Sequence, residues 1–412
     1  MQRLNELITP RIQFVVFAIL ITALFYSKAP ALLSIAVVGV GVLGILQLSS
    51  NGQQLLKSPV HLTAIAWVTF LGFSVFYTEA PFSDYLNEFL FKLTFLALFI
   101  AGSTRKFSPR AIHVLLLVFA YVAMFVAMGT LANYLFHYDE INELIRNSKP
   151  IPIITGQNHI SFSYMLGFSV LAQLYLLLKR REGGNSIPYW LILLPLAVNY
   201  VLIHVIAART GLVAMYLAIG CTVLCYFVFE RRRVIAGLST VMVLAVLSVL
   251  AIMYVKPLNE RYQNTLKDFS VYFNDENPNW WSGTMRLEAM ENAWYIYKEN
   301  VLVGVGMADL NAEVKAMYAK RGTLLIEENR INPHNQFMNM MIVGGTIGAG
   351  LLLLFFILMI AMAFKHHNWL LMGFMVLSFV GFNLEAFMER QIGTTFFGLV
   401  CGLLLQKYFN RK

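Results

Sequence analysis

Three side chains far apart in the chain, Arg209, Arg286 and His334, each stand where a polar segment meets a long apolar run. Arg209 lies in Ala208-Arg209-Thr210-Gly211, a near-absent loop between two such runs. A guanidinium at that depth is costly to desolvate and tends to be kept for function. Its planar fork matches two oxygens of a phosphate or diphosphate. The plainer reading is an arginine that snorkels to a lipid phosphate or pairs with a carboxylate. Arg286 falls in the first turn of an expected helix, beside Glu288 and Glu291. Taken alone it reads as a solvated surface residue. Its position, among unpaired N–H groups at the positive end of a helix dipole, favours an anion. His334 stands in Asn332-Pro333-His334-Asn335 at the threshold of another apolar run. An imidazole there is a proton acceptor near neutral pH, with Asn335 or Asn332 to orient it.

Weaker candidates share that side of the chain. Glu385 closes one apolar run and Glu389 follows in the turn with Arg390; pairing with an arginine is the first reading and catalysis the second. Gln157-Asn158-His159 opens a further run, and His159 is taken as a supporting contact. Asp275-Glu276 and the Asp139–Glu143 cluster have divalent-ion chemistry, but no paired Asp-x-Asp occurs and a solvated acidic loop is the commoner outcome. No metal site and no cofactor is expected. Cys221, Cys225 and Cys401 all fall inside apolar runs, which makes them small apolar residues rather than a metal or redox set.

The elements that must position these groups follow from composition. Of 412 residues, 58% are apolar and 13% charged, about half the charged fraction of a soluble domain. This is an all-α polytopic membrane protein with about twelve transmembrane helices, at 12–27, 31–48, 60–77, 86–102, 111–136, 157–178, 187–207, 211–229, 234–255, 336–363, 369–387 and 391–408. The first run follows a short basic start, as in a signal peptide, but the next run comes within a few residues, so an uncleaved helix is expected. The net charge of +9 lies in short clusters between runs, the pattern of topology determinants, and no nucleic-acid partner is expected.

With a cytoplasmic N-terminus, sixteen basic residues fall inside: Arg3, Arg11, Lys57, Arg105, Lys106, Arg110, Lys179–Arg181, Arg231–Arg233, Lys365, Lys407, Arg411 and Lys412. Only Lys28, Arg146, Lys149, Arg209 and Arg390 fall in short outside loops. Both termini are then cytoplasmic. The chain divides into helices one to nine (1–255), one large outside segment (256–335) and helices ten to twelve (336–412). Within 256–335, Ser282 reads as the N-cap of a helix to about Asn300. Its apolar face is Met285, Ala289, Met290, Ala293, Trp294 and Tyr297, laid on the membrane surface beside Trp280 and Trp281. A second helix is expected at about Ala308–Lys320, after the Gly304-Val305-Gly306 turn. Gly344, Gly345 and Gly348 should let helices approach closely.

The Arg209-Thr210-Gly211 turn, the stretch from Arg286 through Trp294 to Gly304-Val305-Gly306, and Pro333-His334-Asn335 before a glycine-rich run together resemble the O-antigen ligase/polymerase superfamily of membrane glycosyltransferases. The resemblance covers roughly 200–350, and the remainder agrees by hydropathy alone. One departure is Asn300-Val301-Leu302 before Gly304, where relatives often carry proline. Length and loop placement look most like O-antigen ligases. The resemblance implies a GT-C-type fold in the bacterial inner membrane, with the large helical loop and the active site facing the periplasm. It also implies an inverting, metal-independent transfer of glycan from undecaprenyl diphosphate to lipid A–core. By the same resemblance, Arg209 and Arg286 bind the diphosphate and His334 is the catalytic base. An O-antigen polymerase or a protein O-oligosaccharyltransferase shares the donor and remains open. A lipid-linked glycan flippase would need more mid-membrane charge than Lys92 supplies.

Overall fold

A computed structural model describes residues 9–105, 107–146, 149–180, 187–206, 209–254, 256–274, 277, 279 and 281–409. Of the residues named above, Arg3, Lys106, Arg181, Ala208, Asp275, Glu276, Trp280, Arg411 and Lys412 lie outside that set. Sixteen α-helices follow one another, with no strand among the described residues. They are α1 Pro10–Ala23, α2 Pro30–Leu55, α3 Pro59–Gly72, α4 Phe82–Thr104, α5 Pro109–Phe136, α6 Tyr138–Arg146, α7 His159–Lys179, α8 Tyr189–Ile206, α9 Arg209–Cys225, α10 Val234–Tyr254, α11 Lys256–Phe273, α12 Ser282–Glu299, α13 Leu310–Arg321, α14 Gln336–Lys365, α15 Trp369–Leu384 and α16 Gln391–Phe409. Four of them begin on proline, whose fixed φ and missing N–H suit the first helical position.

Each of the twelve apolar runs falls on a helix, although α2 runs on to Leu55, beyond the expected 48, and α3 ends at Gly72 with a 3-10 turn to Phe76. Seven of these helices are long and apolar enough to cross a membrane, whereas the apolar parts of α1, α2, α10, α15 and α16 run to only 10–17 residues. Outward faces carry exposed Ile35, Val38, Phe125, Ile235 and Met242, a surface suited to lipid rather than water. Cys221 and Cys225 are half-buried and Cys401 is buried, all as free thiols. In the interior, glycine sets the spacing. A Cβ on Gly102 of α4 would come within 2.9 Å of the Gly402 backbone of α16, and one on Gly398 within 2.6 Å of the Phe95 carbonyl. Gly398 and Gly402 thus form a small-xxx-small stripe that seats α16 against α4.

The 256–335 segment differs from expectation in three ways. Trp281, not Ser282, holds the cap position of α12, and Ser282 is its first residue. The buried face of α12 is Thr284, Ala289, Asn292, Ala293 and Ile296, while Trp294 is exposed. The helix packs inward, with the Asn292 amide donating to the Val314 carbonyl of α13 at 3.0 Å. Ala289 and Ala293 lie on the buried face as expected, but apolar periodicity missed Thr284 and Asn292, polar residues buried there with hydrogen bonds. Finally, α13 starts at Leu310 and ends on Gly322, whose left-handed φ of +65° closes the helix.

Helix α14 is broken at Gly345, with φ +57° and ψ −156°. The glycines were expected to permit close packing; Gly345 instead interrupts the ladder, and the loop after α12 repairs it. Val305 N–H donates to the Ile342 carbonyl at 2.8 Å and Gly306 N–H to the Val343 carbonyl at 3.0 Å. In return Thr346 N–H donates to the Val301 carbonyl at 2.7 Å and Ile347 N–H to the Leu302 carbonyl at 3.3 Å. A break inside an apolar helix is tolerated only when its freed backbone groups find such partners. A side chain on Gly345 would both strain the positive φ and strike the Leu302 backbone. Gly345→Ala should therefore cost roughly 2–6 kcal/mol, read as a large drop in thermal midpoint of the purified protein. Gly350→Ala in the same helix, where a Cβ meets nothing within 4 Å, should leave the midpoint unchanged or higher.

Candidate active site

Helix ends bring the site together at one end of the bundle. Arg209 is the first residue of α9, His334 stands just before α14, and Glu385 is the residue after α15. Asn335 caps α14, its Oδ1 accepting from the N–H groups of Phe337 at 2.9 Å and Met338 at 3.0 Å. That bond fixes where the helix begins and so where the preceding imidazole points. The amide of Asn335 donates to the Asn383 carbonyl at 3.2 Å, tying the start of α14 to the end of α15. Asn332 donates instead to Asn311 at 2.6 Å. Neither asparagine contacts the imidazole in these bonds.

The partner of His334 is Glu385. His334 Nδ1 lies 2.8 Å from Glu385 Oε2, and the same oxygen lies 3.9 Å from Arg286 Nη2. Arg286 Nη1 donates to the Leu384 carbonyl at 3.4 Å. The neighbours Glu288 and Glu291 do not compete for Arg286. They face Arg321, at 3.8 and 2.9 Å, because residues two and five apart on a helix point in different directions. Glu385 is almost fully enclosed. Burial alone would raise its carboxyl, but the His334 bond and the charges of His334, Arg286 and Arg390 outweigh burial and hold it below the usual carboxylate range. Such a carboxylate accepts a hydrogen bond from Nδ1–H, and in the tautomer that donates from Nδ1 the lone pair is on Nε2.

Arg209 joins the group through Asp268 of α11, an ion pair at 3.9 Å. The charges of Arg209 and Arg286 act on one another and both act on Asp268. Burial pushes the Asp268 carboxyl up, against the Gly283 amide and the two arginines that favour its charged form. Asp268 also explains the entry of α12: its carbonyl accepts from Thr284 Oγ1 at 3.0 Å, and a Cβ on Gly283 would lie 2.7 Å from its side chain. The first-turn amide of Gly283, expected to be open to an anion, is thus already engaged. The result is an alternating chain: Arg209, Asp268, Arg286, Glu385, His334. Sequence reasoning passed over Asp268, which carries no local signal: it becomes a site neighbour only when α11 folds back on α12. His159 is the first residue of α7, capped by Asn158, one turn ahead of Ser163 and Tyr164. Tyr164 stacks edge-on against Phe387 at 4.7 Å and feels the Glu385 charge, so α7 backs the site from below.

The turn that carries Glu385 is fixed from inside the bundle. Buried Lys92 of α4 donates to the Met388 carbonyl and to Glu389 Oε2, each at 2.7 Å. Gln336 completes the set, donating to Glu389 Oε1 at 2.7 Å and accepting from Met388 N–H at 2.6 Å. Lys92 is therefore a structural counter-ion. Lys92→Met should cost about 3–5 kcal/mol by leaving Glu389 without its charge partner, and Lys92→Met with Glu389→Gln should recover most of that in thermal unfolding. On the other side of His334 lies a cleft of about 1080 Å³, bounded by the ends of α3, α4 and α13 and by the 385–390 turn.

Because Glu385 is held ionised by its partners, its contribution to stability is complete above the unfolded carboxyl pKa. It disappears as pH falls through the lower native value. Glu385→Gln should lower stability by about 1–3 kcal/mol near neutrality. The gap in thermal midpoint to the wild type should close as pH falls below about 4.

Residues 191–353 match the family model described as O-antigen ligase, a stretch that holds Arg209, Arg286 and His334 but not Glu385. No curated protein matches the chain. The matched stretch is less than half of the chain, and it includes described helices long and apolar enough to cross a membrane. The match supports placing the chain in the O-antigen ligase family.

Proposed function

We propose that the protein is an O-antigen ligase that moves a glycan from undecaprenyl diphosphate to a sugar hydroxyl of lipid A–core, at the periplasmic face, by inversion and without a metal. The observation that carries this reading is the contact of His334 with Glu385, itself beside Arg286, with Arg209 alongside. The acceptor hydroxyl approaches Nε2 of His334 and loses its proton there as its oxygen attacks the anomeric carbon. The bond from that carbon to the diphosphate oxygen breaks, and the electron pair leaves with the diphosphate. Arg209 and Arg286 stabilise the developing negative charge, which is the larger task when the leaving group is already good. Glu385 stays ionised and steadies the imidazolium that forms. One displacement at one carbon gives inversion.

The charge inventory favours this over transport. Lys92, fully buried, is tied to Glu389, and the site charges gather at one end rather than lining a path. Replacing His334 with Ala should abolish glycan on lipid A–core while the protein level holds, with a thermal midpoint lowered about as much as in Glu385→Gln because the same bond is lost. Arg209→Lys or Arg286→Lys should lower kcat/KM by roughly 10²-fold or more, since an ammonium cannot engage the diphosphate as a fork. In a deletion strain, accumulation of long lipid-linked polymer marks a ligase. Single lipid-linked repeats would mark a polymerase, and normal capped lipopolysaccharide in the His334→Ala strain would reject the base assignment.

A further inference from the structure

The cleft beside His334 has a composition opposite to that of the arginine side. His334 and Glu385 form part of its wall, but Arg209 and Arg286 do not. The imidazole therefore stands in the wall of the cleft, with the two arginines outside its lining. Across from it the cleft is lined by Glu79, Asp84, Glu88, Asp309 and Glu313, against a single lining arginine, Arg390. Glu385 and Glu389 on the near wall are matched by Arg286 and Lys92. No ion pair with a described residue neutralises Glu79, Asp84, Asp309 or Glu313, whereas Glu88 lies in the field of Lys92. Among the described residues, no three carboxylates or imidazoles stand close enough to hold a metal ion.

A second feature is independent of these charges. Asn339 of α14 reaches the wall of the cleft, is 1% exposed, and its Oδ1 has no hydrogen-bond partner. A buried carbonyl oxygen left this way costs stability unless a ligand supplies a donor. Carboxylates and a carbonyl oxygen are all acceptors. Their shared complement is a ligand rich in O–H donors, and the negative wall repels phosphate and carboxylate. The volume is at the upper end of ordinary small-molecule sites, room for more than one sugar ring.

We propose that this cleft is the acceptor subsite, and that it takes an uncharged, hydroxyl-bearing stretch of sugar, with no phosphate or carboxylate on the receiving residue or its neighbour. The assignment rests on the transferase reading above and adds to it a class of acceptor. The donor diphosphate lies on the arginine side and the acceptor hydroxyl enters from the acidic side, so His334 meets both.

The test uses full-length protein in nanodiscs, with donor lipid and acceptor glycolipid both purified from cells lacking the chain. Asn339→Leu and, on an exposed carboxylate, Asp84→Asn should each raise the acceptor KM roughly tenfold. Binding of undecaprenyl diphosphate and the thermal midpoint should not fall. Mass spectrometry of the product should place the new bond on a sugar without phosphate on it or next to it. An unchanged acceptor KM in both variants, or a phosphorylated receiving sugar, would overturn the cleft assignment while leaving transfer intact. If wild-type protein forms no glycosidic bond from these substrates, the transferase reading fails and takes the cleft with it.

Discussion

One enclosed carboxylate organises this end of the molecule. Glu385 accepts from His334 and stands near Arg286 and Arg390. Without it, an imidazole and two guanidiniums would share a poorly hydrated space, and the ring would lose its only fixed orientation among these contacts. The carboxylate is costly to bury, and its partners offset that cost only while the turn from 385 to 390 keeps its shape. Lys92, Glu389 and Gln336 hold that shape from below, so a buried ion pair in the bundle sets the aim of a group at its rim. Stability and chemistry share the same bonds here.

The broken helix serves the same end. His334 rides at the start of α14, whose ladder is interrupted at Gly345, between Gly344 and Gly348, which both face Phe70 and Leu71 of α3. The loop that follows Arg286's helix fills the interruption, strand-like, through four backbone bonds. The helix bearing the second arginine and the helix bearing the imidazole are therefore tied at two places, by Arg286 to the Glu385 turn and by residues 301–306 to the kink. Two tethers fix a relative position that one would leave free to swing.

Much of this was legible in the residue order, for stated physical reasons. Apolar runs bounded by prolines gave the helices, since a chain in lipid must satisfy its backbone internally. Arg209, Arg286 and His334 stood out because charge at an apolar boundary is expensive. What the order concealed were contacts between residues distant in sequence. His334 was assigned an asparagine neighbour for orientation, but the partner comes from the end of α15, 51 positions on. Asp268 looked like any loop carboxylate until α11 folded beside α12. The face of α12 was legible only at Ala289 and Ala293, because Asn292 and Thr284 also point inward, bonded to Val314 and Asp268. Gly345 reads the same in sequence whether it admits a neighbouring helix or breaks its own.

The central claim is that two guanidiniums and an imidazole, joined by carboxylates, surround one diphosphate. An experimental structure with undecaprenyl diphosphate bound tests it most directly. The account requires phosphate oxygens within about 3 Å of both Arg209 and Arg286, with the lipid-linked carbon facing Nε2 of His334 and the Glu385 contact intact. A diphosphate seated in the acidic cleft, or held by other cations with His334 turned away, would contradict it.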